Sequence, residues 1–408
     1  MFVGKILDNF CSLVLKVGVN LQQGQGLEIV CPVEKKEFAE ALTLQAYSLG
    51  AKIVRVRWEN ETIDRYTYQY ADTNTLCAVP KWLVQMRNSL VEENFCYVAV
   101  AAENPLAFYG LDESKIAKVM QARGKALKRY TDAVMNNSIR WCVVSVPTEE
   151  WAKQVFPGKE NAVELLSTAI EKTCRLDYEN PLEEWQAHLD KLTNRANTLN
   201  QNEFEYLHFI NSLGTDLKVG LADGHIWTSA LEKAKDGVCF CANLPTEEVF
   251  TAPHKNKVDG VVKSSMPLIY NGNIIDGISL EFKNGKVIKY SAQKGEGTLK
   301  GLIETDAGTR RLGEVALIGK SSPIKQQGIL FLNTLFDENA SCHLALGKAY
   351  PTTVKNGENL NKTQLAKLGV NDSVEHEDFM IGTDDLTVYG IKKDGTRILI
   401  FKEGEWTF

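Results

Sequence analysis

Apolar residues follow two different periodicities along this chain, and the change from one to the other divides it. Up to Leu21, the residues Phe2, Ile6, Leu7, Phe10, Leu13, Val14 and Val17 recur at helical spacing, with Lys5, Asp8 and Asn9 between them. A secretory core would be continuous and followed by a small-residue cleavage site, so this segment predicts an amphipathic helix. Residues 27–31 form a short apolar run. Residues 34–49 carry Phe38, Ala41, Leu42, Leu44 and Tyr47 and stop at Gly50, and a β-branched run follows at 53–56. This is a βαβ pattern. Buried-strand patterns recur at 95–101 and 141–146, each followed by a helical segment. The first half therefore predicts an α/β domain with a mostly parallel sheet.

A polar run at 193–200 separates this half from a different texture. Turn dipeptides recur at Asp223-Gly224, Asn271-Gly272, Asn284-Gly285 and Asp394-Gly395, most of them flanked by alternating apolar residues. Those are hairpin signals, and they predict a C-terminal α+β domain built on antiparallel sheet. The boundary is placed near residue 200, giving domains 1–200 and 201–408. Gly24 and Gly26 precede the first strand instead of linking it to a helix, which argues against a dinucleotide cradle. The lysines and arginines of a helix at 114–135 read as a solvated face.

Composition narrows the function classes. Over 408 residues, hydrophobic residues make up 44% and charged residues 24%, as in ordinary soluble domains. A formal net charge of -6 argues against a nucleic-acid or anionic-membrane partner. Nine scattered cysteines read as reduced thiols in a cytoplasmic protein. No stretch approaches the roughly 18 uninterrupted apolar residues of a membrane span.

The candidate chemistry lies in the second half: Glu247, Glu248, Glu314, Glu338, His343, Tyr350, His376 and Asp378. Carboxylates and imidazoles together bind borderline divalent metals and acidify water. Alternation places His343 on one face of its segment and Cys342, Leu344 and Leu346 on the other. His376 and Asp378 share a strand face, roughly 7 Å apart at two strand rises. Glu248 and Phe250 share a face if 246–251 is a strand, with Glu247 turned away. The isolated histidines His188, His208, His225 and His254 read as surface or satisfied core residues. Cys239-Phe240-Cys241 reads as buried strand. The Pro-Thr-Glu-Glu string occurs twice; at 147–150 it reads as a helix start capped by Thr148, while at 245–248 it runs into strand-like residues ending at Pro253. These ligands make no local motif, and residue chemistry alone leaves other dimetal hydrolases open, a phosphoesterase or amidase among them.

The string from Asn243 through Glu247 and Glu248 to Pro253 resembles the hallmark of the thermophilic metallo-aminopeptidase family, the group of aminopeptidases T and S. The resemblance continues at Leu312-Gly313-Glu314-Val315, at Glu338-Asn339-Ala340-Ser341-Cys342-His343, at Leu346-Gly347-Lys348-Ala349-Tyr350 and at His376-Glu377-Asp378, and it spans essentially the whole chain. It implies that Glu248, Glu314, Glu338, His343, His376 and Asp378 hold two divalent metal ions, zinc or cobalt, with manganese or magnesium also compatible. It implies that Tyr350 is an active-site hydroxyl. Glu247 is the candidate proton shuttle, with Glu248 as the alternative. It further implies a homodimer that removes N-terminal residues from peptides, with the N-terminal domain helping to enclose the cavity.

Overall fold

The computed structural model describes residues 2–271 and 273–408, apart from the side chain of Glu113. The chain forms two compact units. One extends to His188 and takes back Leu231–Pro245; the other comprises Leu189–Ala230 and Thr246–Phe408.

The first unit is built on a five-stranded parallel sheet. Its strands run in the order Asn243–Leu244, Trp141–Val144, Cys96–Val100, Gly26–Pro32 and Ile53–Glu59. The predicted βαβ unit is present, with the helix Lys36–Ser48 joining Gly26–Pro32 to Ile53–Glu59. The strand Asn243–Leu244 arrives from far along the sequence, and two residues are too few to carry a period. The N-terminal helix Gly4–Leu13 forms as its spacing predicts and buries Phe10, Cys11 and Leu13. The predicted helix at 114–135 is two helices, Glu113–Ala126 and Lys128–Met135, broken at Leu127. Its exposed ion pairs, Lys128 with Asp132 and Arg129 with Glu92, fit a solvated face.

Two readings are corrected. The polar run at 193–200 belongs to the long helix Pro181–Asn202. Its Ala196 and Leu199 continue a buried stripe begun by Trp185, Leu189 and Leu192, while Asn194 and Asn197 face outward. Thr148 does sit at the start of the helix Glu149–Val155, but its hydroxyl donates to the Ala102 carbonyl and accepts no helix N–H.

The second unit is a mixed unit with two large antiparallel sheets. The eight-stranded sheet places Asp216–Leu221 and Tyr206–Ile210 at its centre. The hairpin joining Ser279–Lys283 to Lys286–Ser291 turns at Asn284 and Gly285, both at positive φ, as an Asn-Gly type I′ turn requires. Gly272 lies outside the described residues, although Leu268–Tyr270 and Asn273–Ile275 pair across it. Asp223-Gly224 joins no hairpin, since Asp216–Leu221 pairs with other strands. The five-stranded sheet runs His376–Met380, His343–Gly347, Leu312–Leu317, Val249–Thr251 and Thr228–Ser229. Every residue of Leu312–Leu317 and His343–Gly347 is buried, so this sheet is a core element. Among the described residues no helix is long and apolar enough to cross a membrane.

Candidate metal centre

Register on the five-stranded sheet brings distant residues onto one face. Glu314 stands opposite Ala345, and Ala345 opposite Asp378, forming one cross-strand row. Ala316, His343 and Met380 form the next, extended by Phe250 on the far side of Ala316. His376 lies opposite Gly347 one step the other way. Neighbouring strands are about 4.8 Å apart, so Glu314 and Asp378 flank the small Ala345, and their carboxylates can lean together above its methyl group. An irregularity between Leu312 and Glu314 resets the register at Gly313. A Cβ there would overlap the carbonyl oxygens of Gly347 and Lys348, so glycine permits the bulge that aims Glu314.

The side chains meet as the backbone dictates. His343 Nε2 lies 3.3 Å from Glu248 Oε2, 3.3 Å from Glu314 Oε1 and 3.7 Å from Asp378 Oδ1. His376 Nε2 lies 3.3 Å from Asp378 Oδ2 and 3.9 Å from Glu314 Oε2. Glu314 and Asp378 thus each turn one oxygen toward one imidazole and the other oxygen toward the second. Both rings are oriented from behind. His343 Nδ1–H donates to the Glu338 carbonyl at 2.9 Å, and His376 Nδ1–H donates to the Lys348 carbonyl at 2.6 Å. A carbonyl only accepts, so the Nδ1 proton is fixed and Nε2 faces the carboxylates in both rings.

Such crowding shifts protonation. Burial raises the Glu314 carboxyl to about 7 against the pull of His343, with Asp378 and Glu248 adding to the rise. Burial likewise pushes Glu338 well above the usual carboxylate range, reinforced by Asp378 and Glu248. Burial alone would lower the imidazoles. At His376 Asp378 reverses this and raises the ring to about 10, and at His343 Glu248 and Glu314 raise it well above its ordinary value. Asp378 is lowered despite burial because His376 stands against it. Protons compensate a concentration of negative charge that a cation would neutralise instead.

The donor set fits a divalent metal. Glu248, Glu314 and His343 each offer an atom within 4.8 Å of the others, and so do Glu314, His376 and Asp378. Asp378 Oδ1 is buried without a hydrogen-bond partner, an orphan acceptor aimed into the cluster. Oxygen and imidazole nitrogen together suit zinc, cobalt or manganese.

The remaining sequence candidates sit around this group. Glu338 is close enough to feel Asp378, Glu248 and His343. The Tyr350 ring meets His376 edge to face at 5.1 Å and Phe250 at 6.1 Å. The strand at 246–251 begins only at Val249, so alternation does not govern Glu247 and Glu248; both are buried. Cys342 turns from the cluster, its sulfur bonded to the Ile318 backbone. Among residues that sequence reasoning missed, Ala345 shares a face with His343 and was readable from alternation. Asn339 carried no local signal beyond its place beside Glu338.

The family described as Thermophilic metalloprotease (M29) matches residues 4–406. The chain belongs to that family. The resemblance read from its motifs is therefore borne out, and membership in a metalloprotease family implies a divalent metal. The chain is 41% identical to aminopeptidase 2 of Geobacillus stearothermophilus, over 99% of this chain and 98% of that one. It is 37% identical to aminopeptidase T of Thermus aquaticus, over 98% of each. The solved structure of wild-type AmpT from Thermus thermophilus superposes with a TM-score of 0.92 at 37% identity, covering 99% of both chains.

Proposed function

We propose that this M29 protein is a metal-dependent aminopeptidase that releases N-terminal amino acids from peptides, using two divalent cations. The observation that carries this reading is the sharing of Glu314 and Asp378 between two imidazoles, each of which faces one oxygen of each carboxylate. That arrangement provides two adjacent sets of ligands. The names of its relatives, aminopeptidase 2 and aminopeptidase T, support the substrate class.

In this reading Glu248, Glu314, Glu338, His343, His376 and Asp378 hold the ions, zinc or cobalt. The ions supply Lewis-acid polarisation of the scissile carbonyl and acidify water. The chain's own residues do the rest. With the carboxylates neutralised by the ions, recognition of the N-terminus rests on the free α-amine as a further ligand, which an acetyl cap abolishes. Tyr350 lies against His376, and its hydroxyl donates a hydrogen bond to the oxyanion that develops at the carbonyl. Such a preorganised donor contributes roughly 3 kcal/mol. Glu247 takes a proton from water and returns it to the leaving amine, with Glu248 the alternative. We also propose a cytoplasmic homodimer.

Hydrolysis of aminoacyl-p-nitroanilides and short peptides tests the reading, with N-acetylated controls, before and after chelation and metal return. Cleavage of free-amine substrates alone, lost on chelation, restored by zinc or cobalt and absent in His343→Ala, is expected. Cleavage indifferent to the acetyl cap, or to metal, would overturn it.

A further inference from the structure

One side chain outside the ligand set touches two of the segments that carry it. Asn339 is fully buried and sits in the middle of the short turn Glu338–Ala340. Its Oδ1 accepts the Glu247 N–H at 2.8 Å, across 92 residues of sequence. Its Nδ2 donates to the Leu335 carbonyl at 3.0 Å and to Glu338 Oε1 at 3.4 Å. Its own carbonyl accepts the Ser322 hydroxyl at 2.8 Å. The carboxamide thus uses its acceptor and its donors together. One end ties down the backbone immediately before Glu248, and the other steadies the carboxylate of Glu338. The Glu338 carbonyl in turn receives the Nδ1 proton of His343.

We propose, on the ligand assignment given above, that Asn339 is a positioning residue for the metal centre. Its amide fixes the separation between the Glu247–Glu248 segment and Glu338, and so holds the Glu248 and Glu338 oxygens in register with His343 Nε2. The chemistry requires asparagine. Aspartate has the same shape and keeps the acceptor for Glu247 N–H, but it turns an anion toward the Leu335 carbonyl and the Glu338 carboxylate. Alanine removes all three bonds and leaves the Glu247 N–H without its partner. A role confined to packing predicts loss of stability without loss of metal affinity, because the ligands themselves are untouched.

The test compares Asn339→Ala and Asn339→Asp with wild type and with Asn211→Ala. Asn211 is another buried asparagine of the same unit, bonded to Thr215 N–H and the Ile381 carbonyl and touching no proposed ligand. Zn2+ affinity is measured by competition with a chromogenic chelator, and the visible spectrum of the Co2+-loaded protein reports ligand geometry. Both Asn339 variants are expected to bind Zn2+ about 10–100-fold more weakly and to show an altered Co2+ spectrum, as when the partner that orients a ligand is lost. Asn211→Ala is expected to lower the thermal midpoint with wild-type Zn2+ affinity and Co2+ spectrum. Should Asn339→Ala fail to fold, Asn339→Asp decides. Wild-type Zn2+ affinity and Co2+ spectrum in a folded Asn339 variant, with affinity lost in His343→Ala, would overturn the positioning role alone. Wild-type affinity in His343→Ala would remove the ligand assignment, and the role of Asn339 with it.

Discussion

Replacing Glu314 with glutamine separates the metal account from ordinary packing. Among the described residues Glu314 belongs to both ligand groups, so its loss weakens both sites at once. A site held at free zinc a thousandfold above its Kd adds about 4 kcal/mol to stability. The unit that carries the cluster has roughly 200 residues, and its unfolding entropy near the midpoint is about 0.4 kcal/mol/K. Each occupied site should then raise the midpoint by about 10 °C. Losing a ligand should weaken binding at least as much as losing a ligand's partner, about 100-fold at the upper end. At the same free zinc that removes about 2.7 kcal/mol per site. The zinc-induced rise should shrink to about a third. Without metal the variant should melt within a few degrees of wild type, because glutamine fills the same space and removes one of four crowded buried carboxylates. Calorimetry of both proteins, chelated and at matched free zinc, measures all four midpoints. An undiminished zinc shift in Glu314→Gln would refute the reasoning, and so would equal losses with and without metal.

Tyr350→Phe keeps the ring packing on His376 and Phe250 but removes the hydroxyl. It should lower kcat about 10²–10³-fold with little change in KM or zinc affinity; steady-state kinetics showing a wild-type kcat would exclude the oxyanion role. Gly313→Ala should disrupt the bulge that aims Glu314, since the added methyl meets two carbonyl oxygens; the expected result is weaker zinc binding together with a lower midpoint, and an unchanged protein would contradict it. Asp306 accepts N–H groups of Gly308, Thr309 and Val374 and the Ser373 hydroxyl, joining the approaches to Leu312–Leu317 and His376–Met380. Burial opposes ionisation there, but the Val374 and Thr309 amides and Ser373 outweigh it and hold the carboxyl below its ordinary value. A depressed acid stabilises the fold above its unfolded pKa of about 4 and loses that contribution as pH falls through the lower folded value. Thermal midpoints of Asp306→Asn should therefore lie below wild type at neutral pH and approach it in acid; parallel curves would contradict this.

Much of this architecture was legible in local pattern. Helical spacing marked the N-terminal helix, and the first βαβ unit could be read from a helix stop at Gly50 and a β-branched run after it. The alternation around His376 placed Asp378 on its face, and the two side chains do meet. What local pattern could not supply is strand order. Glu248 and His343 are neighbours because Val249–Thr251 and His343–Gly347 both pair with Leu312–Leu317, a fact of long-range pairing that leaves no mark on either segment. The alternation argument for Glu247 failed at its premise, since the strand starts after both glutamates. The polar run at 193–200 misled because a helix with one buried stripe needs only every third or fourth residue to be apolar. Asn339 was invisible because its importance lies in bonds that reach Glu247, far away in sequence.

The most direct test of the two-ion claim is anomalous X-ray diffraction from crystals grown with zinc, collected on both sides of the zinc edge. The account predicts two adjacent peaks, one bounded by Glu248, Glu314 and His343 and the other by Glu314, His376 and Asp378, with the first weakened relative to the second in crystals of His343→Ala grown at limiting zinc. A single peak, or zinc bound away from Glu314, would contradict it.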